Sequence, residues 1–204
     1  MRRKFLYLYI LFIFSLFIFS CENTETGNYP NGKLKFSIET KSGKKDGKSI
    51  WYFENGLKES EFEYKDGKLD GKACKWNFLG NLITEIQYNS GKKHGYSKSF
   101  NDQGKLVVLA YYKMDVADGQ YIEYYPETET IKIKGLYKDG FMQGDWEFYD
   151  TYGRKIGFGT FFKGNGFIRS FYSSGAIKEE QFYANNKAIG KSRKFNQDGT
   201  EIEN

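Results

Sequence analysis

Glycine returns along this chain every two dozen residues. Asn-Gly-like turns fall at Gly32, Gly56, Gly80, Gly104, Glu129, Gly153, Gly175 and Gly199, at spacings of 24, 24, 24, 25, 24, 22 and 24 residues. A second register follows 11 residues behind, at Gly43, Gly67, Gly91, Asp115, Gly140, Gly164 and Asn186. A third comprises Gly47, Gly71, Gly95, Gly119, Gly144, Gly166 and Gly190. A period of this length marks an array of supersecondary units, none able to bury its apolar face without its neighbours. It also disposes of the one stretch that suggests a nucleotide site, Gly67-x-x-x-Gly71-Lys72. A phosphate loop needs Gly-x-x-x-x-Gly-Lys-Ser/Thr opening a helix. Here the glycines are one copy of the repeat, and no helical period follows.

Each unit reads as two strands and two turns. Asn31-Gly32, Asn55-Gly56, Asp66-Gly67, Asp139-Gly140 and Asp198-Gly199 are strong hairpin signals, because a type I′ turn needs positive φ at both central residues. The runs between them are rich in β-branched and aromatic residues. Two aromatic ladders keep the register. Thr40, Tyr64, Tyr88, Tyr112, Tyr137, Phe161 and Tyr183 lie three residues before the second glycine. Tyr52, Trp76, Phe100, Tyr124, Tyr149, Phe171 and Phe195 lie five after the third. Thirteen of these fourteen positions are aromatic in a chain that is 19 % aromatic, which excludes chance. The expected fold is all-β: an elongated, single-layer antiparallel meander of β-hairpins, about seven units of 24 residues, roughly 65–70 Å long at ~4.8 Å per strand. One face is expected to carry both ladders. The other is expected to carry a less regular set, Trp51, Tyr121, Trp146, Phe148 and Ile168, as a candidate binding face.

The pattern of Tyr64-Lys65-Asp66-Gly67-Lys68-Leu69-Asp70-Gly71 resembles the bacterial variant of the MORN repeat, and the resemblance covers roughly residues 29–202. Proteins built from it are grouped as a YwqK-type antitoxin family. The resemblance implies a single-layer sheet of hairpins used for protein or lipid contact.

The N-terminus has its own logic. Met1-Arg2-Arg3-Lys4 is followed by an uncharged run over residues 5–20, then by Cys21 and the polar "CENTETGN". A basic start, a short apolar run and a small residue before the cut describe a secretory signal, and the run is shorter than the roughly 20 residues of a spanning helix. "Ile-Phe-Ser-Cys" at 18–21 resembles a bacterial lipobox. The division expected is a lipoprotein signal peptide over 1–20, a flexible spacer over 21–28 and the repeat domain over 29–204, with lipid on Cys21. The protein would be exported and anchored to the bacterial envelope, at its outer membrane. Without residues 1–20 the 31 cations become 28 against 26 acids. A charge that small, with no clustered basic face, excludes a nucleic-acid footprint.

Little in the chain points to catalysis. Cys74 would be the only side-chain thiol left, reading as a buried small hydrophobe. One His and no Cys/His cluster exclude the usual zinc spacings. His94 occupies the slot of Asp46, Asp70, Asp118, Gln143 and Ile189 and reads as a solvated turn residue. Glu59 and Glu61 have the spacing of two carboxylates on one strand face, yet strand glutamates in a repeat serve solvation. Irregularities stand at Asp115–Asp118, at the acidic tip over 126–130, and at Gly164-Asn165-Gly166; calcium would use those carboxylates, whose spacing matches no calcium loop. The expectation is a non-catalytic scaffold without cofactor or metal, binding a protein at the envelope. Two alternatives stand beside it: an antitoxin- or immunity-like inhibitor of an envelope toxin, and a glycan-binding surface lipoprotein.

Overall fold

A computed structural model describes residues 22–203; the expected signal peptide and Cys21 lie outside them. Sixteen strands form one open antiparallel sheet in strict chain order. The first eight are β1 (Glu22–Asn28), β2 (Leu34–Lys41), β3 (Lys44–Tyr52), β4 (Lys58–Lys65), β5 (Lys68–Trp76), β6 (Leu82–Asn89), β7 (Lys92–Phe100) and β8 (Leu106–Lys113). They are followed by β9 (Val116–Tyr124), β10 (Ile131–Lys138), β11 (Phe141–Tyr149), β12 (Lys155–Phe162), β13 (Asn165–Phe171), β14 (Ile177–Ala184), β15 (Lys187–Phe195) and β16 (Glu201–Ile202). The described residues contain no helix. The hairpin meander expected from the repeat is the fold.

The expected spacer is corrected. Residues 22–28 form β1, paired with β2 from Glu22↔Lys41 to Asn28↔Leu34. The outer edge of β2 would otherwise present a row of unpaired backbone groups. Gly27 permits the pairing, since a Cβ there would collide with the Phe36 ring.

The third glycine register makes a bulge. Phe62 pairs with Ala73 and Tyr64 with Leu69, so β5 carries two more residues than β4 across the same span. Gly71 absorbs the bend at φ 113°, a conformation that a side chain disfavours. The Glu63 carboxylate lies over it and accepts a hydrogen bond from the Lys72 amide at 2.8 Å. Glu39 and the Lys48 amide repeat the arrangement over Gly47. The pairing of β12 with β13 runs without any shift, so the short spacing of the sixth unit is a missing bulge.

Turns bond to turns along both edges of the sheet. At the two-residue turns the amides of Gly67, Gly91, Asp115, Gly140 and Gly164 donate to carbonyls one unit back, at 2.7–2.9 Å. The slot holding His94 serves the same edge: Asp46, Asp70, Asp118 and Gln143 each accept a hydrogen bond from the next turn's backbone. The solvated-turn reading of that slot is therefore corrected to a bridge between units, although His94 itself is exposed. Asn186 reaches farther, across the recessed turn of the short unit. Its side chain accepts from the Met142 amide at 2.8 Å and donates to the Gly140 carbonyl at 2.7 Å. On the opposite edge, Tyr29, Tyr125 and Tyr172 each donate their hydroxyl to a carbonyl one unit ahead.

The face assignment is also corrected: the two ladders lie on opposite faces. In a two-residue hairpin Lys65 pairs with Lys68 and Tyr64 with Leu69, so partners differ in parity. Side chains alternate along a strand, so Tyr64 and Trp76, an even number of residues apart, face opposite ways. Trp51, Tyr121, Trp146, Phe148 and Ile168 share the first ladder's face and pack among its rings. Met142, Trp146 and Phe161 form the buried cluster, covered by Tyr121, Ile133, Tyr137, Phe148, Ile168 and Tyr183.

On that face the bulk changes strand along the array. Ser49 sits between Ile38 and Phe62, and Ala73 between Phe62 and Ile86. Beyond β8 the order inverts: Tyr121 sits between Ala110 and Gly135, and Trp146 is flanked by Gly135 and Gly159. Each large side chain lies over a small neighbour, which keeps the layer close-packed in both halves.

Candidate functional surface

The expected binding residues are not a free surface. Trp146 is only 4 % exposed, and its ring contacts Tyr121, Tyr137 and Phe161 at centroid separations of 5.7, 5.1 and 6.3 Å. Phe148 packs against the same cluster. Trp51 is half-buried, edge-on to Phe62 at 5.8 Å, with the Lys45 ammonium over its ring.

The second ladder's face carries an ionic row beside its rings. Glu61 lies between Lys48 and Lys58, Glu85 meets Lys98, Glu147 lies between Lys134 and Lys155, and Glu180 between Arg169 and Arg193. Hydrogen bonds from the two lysines hold the Glu147 carboxyl down to about 2. The bond to Glu85, aided by burial, pushes the Tyr96 phenol up to about 12. Both shifts keep the groups in their usual charge states at neutral pH. Burial pushes the half-buried Cys74 thiol up as well, which disfavours the reactive thiolate. Glu61, considered with Glu59 as an acid pair, is committed to its lysines. Asp115 accepts from the Lys93 amide, Asp118 pairs with Lys138, and Glu129 pairs with Lys105. Among the described residues no three His, Cys, Asp or Glu side chains are placed together to hold a metal ion.

What the second face exposes instead is an apolar strip. Tyr111, Val116, Leu136, Phe141, Phe162, Phe182 and Ile189 are all exposed, Phe162 to 66 %. They place one such side chain on seven of the eight consecutive strands β8–β15, near the two-residue turns. Pairing fixes the face: Tyr112, Tyr137, Phe161 and Tyr183 point to the first face, so their neighbours Tyr111, Leu136, Phe162 and Phe182 point to the second. Val116 pairs with Lys113, Phe141 with Lys138 and Ile189 with Phe182. Seven strand steps make the strip roughly 34 Å long at ~4.8 Å each. In the first three units the equivalent positions hold Glu39, Lys44, Glu63, Lys68, Gln87 and Lys92. Lys113, Lys138 and Lys187 border the strip, and the Lys163 ammonium lies 5.6 Å from the Phe162 ring centre.

The strip was legible in the sequence only as a break in charge. The slot of Glu39, Glu63 and Gln87 turns to Tyr111, Leu136 and Phe182, but its face follows only once parity across the turns is counted.

Two segments, 45–66 and 93–114, match the family model described as MORN repeat variant. Each spans one long-turn hairpin, β3–β4 and β7–β8, and they lie two repeat lengths apart. The matches support a MORN-repeat architecture for the array. No curated protein matches the chain.

Proposed function

We propose that this chain is a non-catalytic repeat scaffold that holds a protein partner along the apolar strip. The exposed strip carries the proposal. Single exposed apolar residues are ordinary on a soluble protein, but seven of them on one face of eight neighbouring strands are the kind of enrichment that marks an interaction surface. Lys138 at its border is paired with Asp118, and Lys113, Lys163 and Lys187 favour a partner whose apolar side chains are flanked by acidic ones. The ionic row supports the same reading, because its carboxylates are engaged with lysines and arginines.

A photo-cross-linking residue placed at Phe162 or Phe182, in the native host, is expected to yield one shared adduct. The same probe at Lys65, the slot equivalent to Phe162 in the second unit, is expected to yield none. A Leu136→Asp and Phe141→Asp variant is expected to lose the adduct while remaining folded by circular dichroism. Equal adducts from both halves, or an adduct that survives the aspartates, would sink the proposal. An adduct with one enzyme, inhibited by the scaffold, would give the antitoxin-like form of this function.

The scaffold is further proposed to be held at the bacterial envelope by lipid on Cys21, at its outer membrane. The basic start, the short apolar run and the cysteine at its end support this. Stable anchoring takes more than one acyl chain, each buried methylene contributing about 0.8 kcal/mol. Cys21→Ser should move the protein from the membrane fraction to the soluble fraction. Full retention in membranes would show that an uncleaved N-terminal segment does the anchoring.

A further inference from the structure

We propose that copies of this chain join end to end, with β1 of one molecule adding to β15 of the next and continuing the sheet. This goes beyond the binding function and rests on the two end strands of the sheet, with Lys187 shared between the β15 edge and the border of the strip.

The sheet is open, and its two ends are chemically unlike. Among the described residues, β1 pairs along its length with β2 and with no other strand. It carries Glu22 and Glu25 and no cation; Glu22 meets Lys41 across the pair, with both side chains largely in water. At the other end β16 is two residues long and, among the described residues, pairs with Lys194 and Phe195. Among the described residues, no strand lies along the outer side of β15 over residues 187–191. β15 carries Lys187, Lys191, Arg193 and Lys194 and no acid. Arg193 is committed to Glu180 and Glu201, and Glu203 lies with Lys191 around one shallow hollow. Over 187–191 the edge therefore keeps two lysines, Lys187 and Lys191, the latter near that one acid.

An open strand edge is a template for another strand. Like charges placed opposite each other across a strand pair are destabilising and opposite charges stabilising. Pairing β1 with β1 would set glutamates against glutamates. Pairing β15 with β15 would set lysines against lysines. Only β1 against β15 joins opposite charges, and β1, at seven residues, is long enough to cover the uncovered stretch. Such a contact is heterologous, so it does not close on itself and extends as a filament. The occupant of each edge is therefore the other edge of a second copy.

Cysteines introduced one per edge test this in the full chain, on membranes of the expressing cell, with Cys74→Ala as background. Treated with a short bismaleimide, Thr24→Cys together with Lys191→Cys is expected to give a ladder of dimers, trimers and longer products. Either substitution alone is expected to give monomer, like the background chain. Reversing β1 with Glu22→Lys and Glu25→Lys should reduce the ladder at least tenfold. Adding Lys187→Glu and Lys191→Glu on a co-expressed copy should restore cross-links between the two variants, read there with Ser192→Cys as the partner thiol. Monomer alone from the double-cysteine chain overturns the proposal. So do dimers from a single-cysteine chain, which would indicate a symmetric pairing, and a ladder that charge reversal leaves unchanged.

Discussion

Replacing Trp146 by Ala should lower the stability of the array by about 3–5 kcal/mol, the range for truncating a buried aromatic ring. The indole is 4 % exposed and holds Tyr121, Tyr137 and Phe161 together. The usual relief after such a truncation is for neighbours to lean into the hole. Here the flanking positions are Gly135 and Gly159, which have no side chains to lean, so the loss belongs at the upper end of the range. Trp76 provides the comparison: it is only half-buried on the other face, and its removal should cost less than about 2 kcal/mol. Equilibrium denaturation followed by a local probe in the fifth unit would measure both. A loss below ~1 kcal/mol at Trp146 would mean that the cluster is not the centre of the fold.

The second large effect is a change of sign. Gly135→Ala should destabilise the protein by about 1–3 kcal/mol, the usual range for overpacking a full site, because the added Cβ meets the Trp146 indole. The backbone does not forbid the change, since Gly135 lies outside the positive-φ set. Alanine in a strand is otherwise favoured over glycine by roughly 0.5–1 kcal/mol. In the Trp146→Ala background the collision is gone, and the same substitution should become neutral or stabilising. A double-mutant cycle reads this as coupling between neighbours. Additive effects would show that the small-large exchange along the first face is incidental to stability.

Several features could be read directly from the residues. Asp66-Gly67 and Asp139-Gly140 form the expected two-residue turns, with positive φ at both centres. Asn31-Gly32, Asn55-Gly56 and Asp198-Gly199 instead lie in longer turns where the glycine has positive φ and its partner does not, which corrects the type I′ expectation at those three. The spacing of 22 residues marked the sixth unit as odd, and the structure shows it as a hairpin without its bulge. The two ladders were visible as columns of rings. Their placement on one face was wrong for a countable reason: a two-residue turn exchanges odd and even positions. The stretch over 22–28, polar and without aromatics, looked like a spacer, and what makes it a strand is the edge of β2 rather than its own composition. The slot of Asp46 and Asp70 looked like a solvated turn because its acceptor role is played toward a residue about 20 positions away.

Local chemistry, written once per unit and repeated, determined the architecture: where the chain turns, that it forms hairpins, and that each hairpin leans on the next. Tertiary structure decided which rings are core and which surface is left over. Packing depends on the pairs that pleat and parity bring together, Trp146 over Gly135 or Phe62 over Ala73, and these partners are set across strands rather than along the chain. The apolar strip emerged by the same route, from slots that hold Glu39, Lys44, Glu63, Lys68, Gln87 and Lys92 in the first three units and Tyr111, Val116, Leu136, Phe141 and Phe182 farther along.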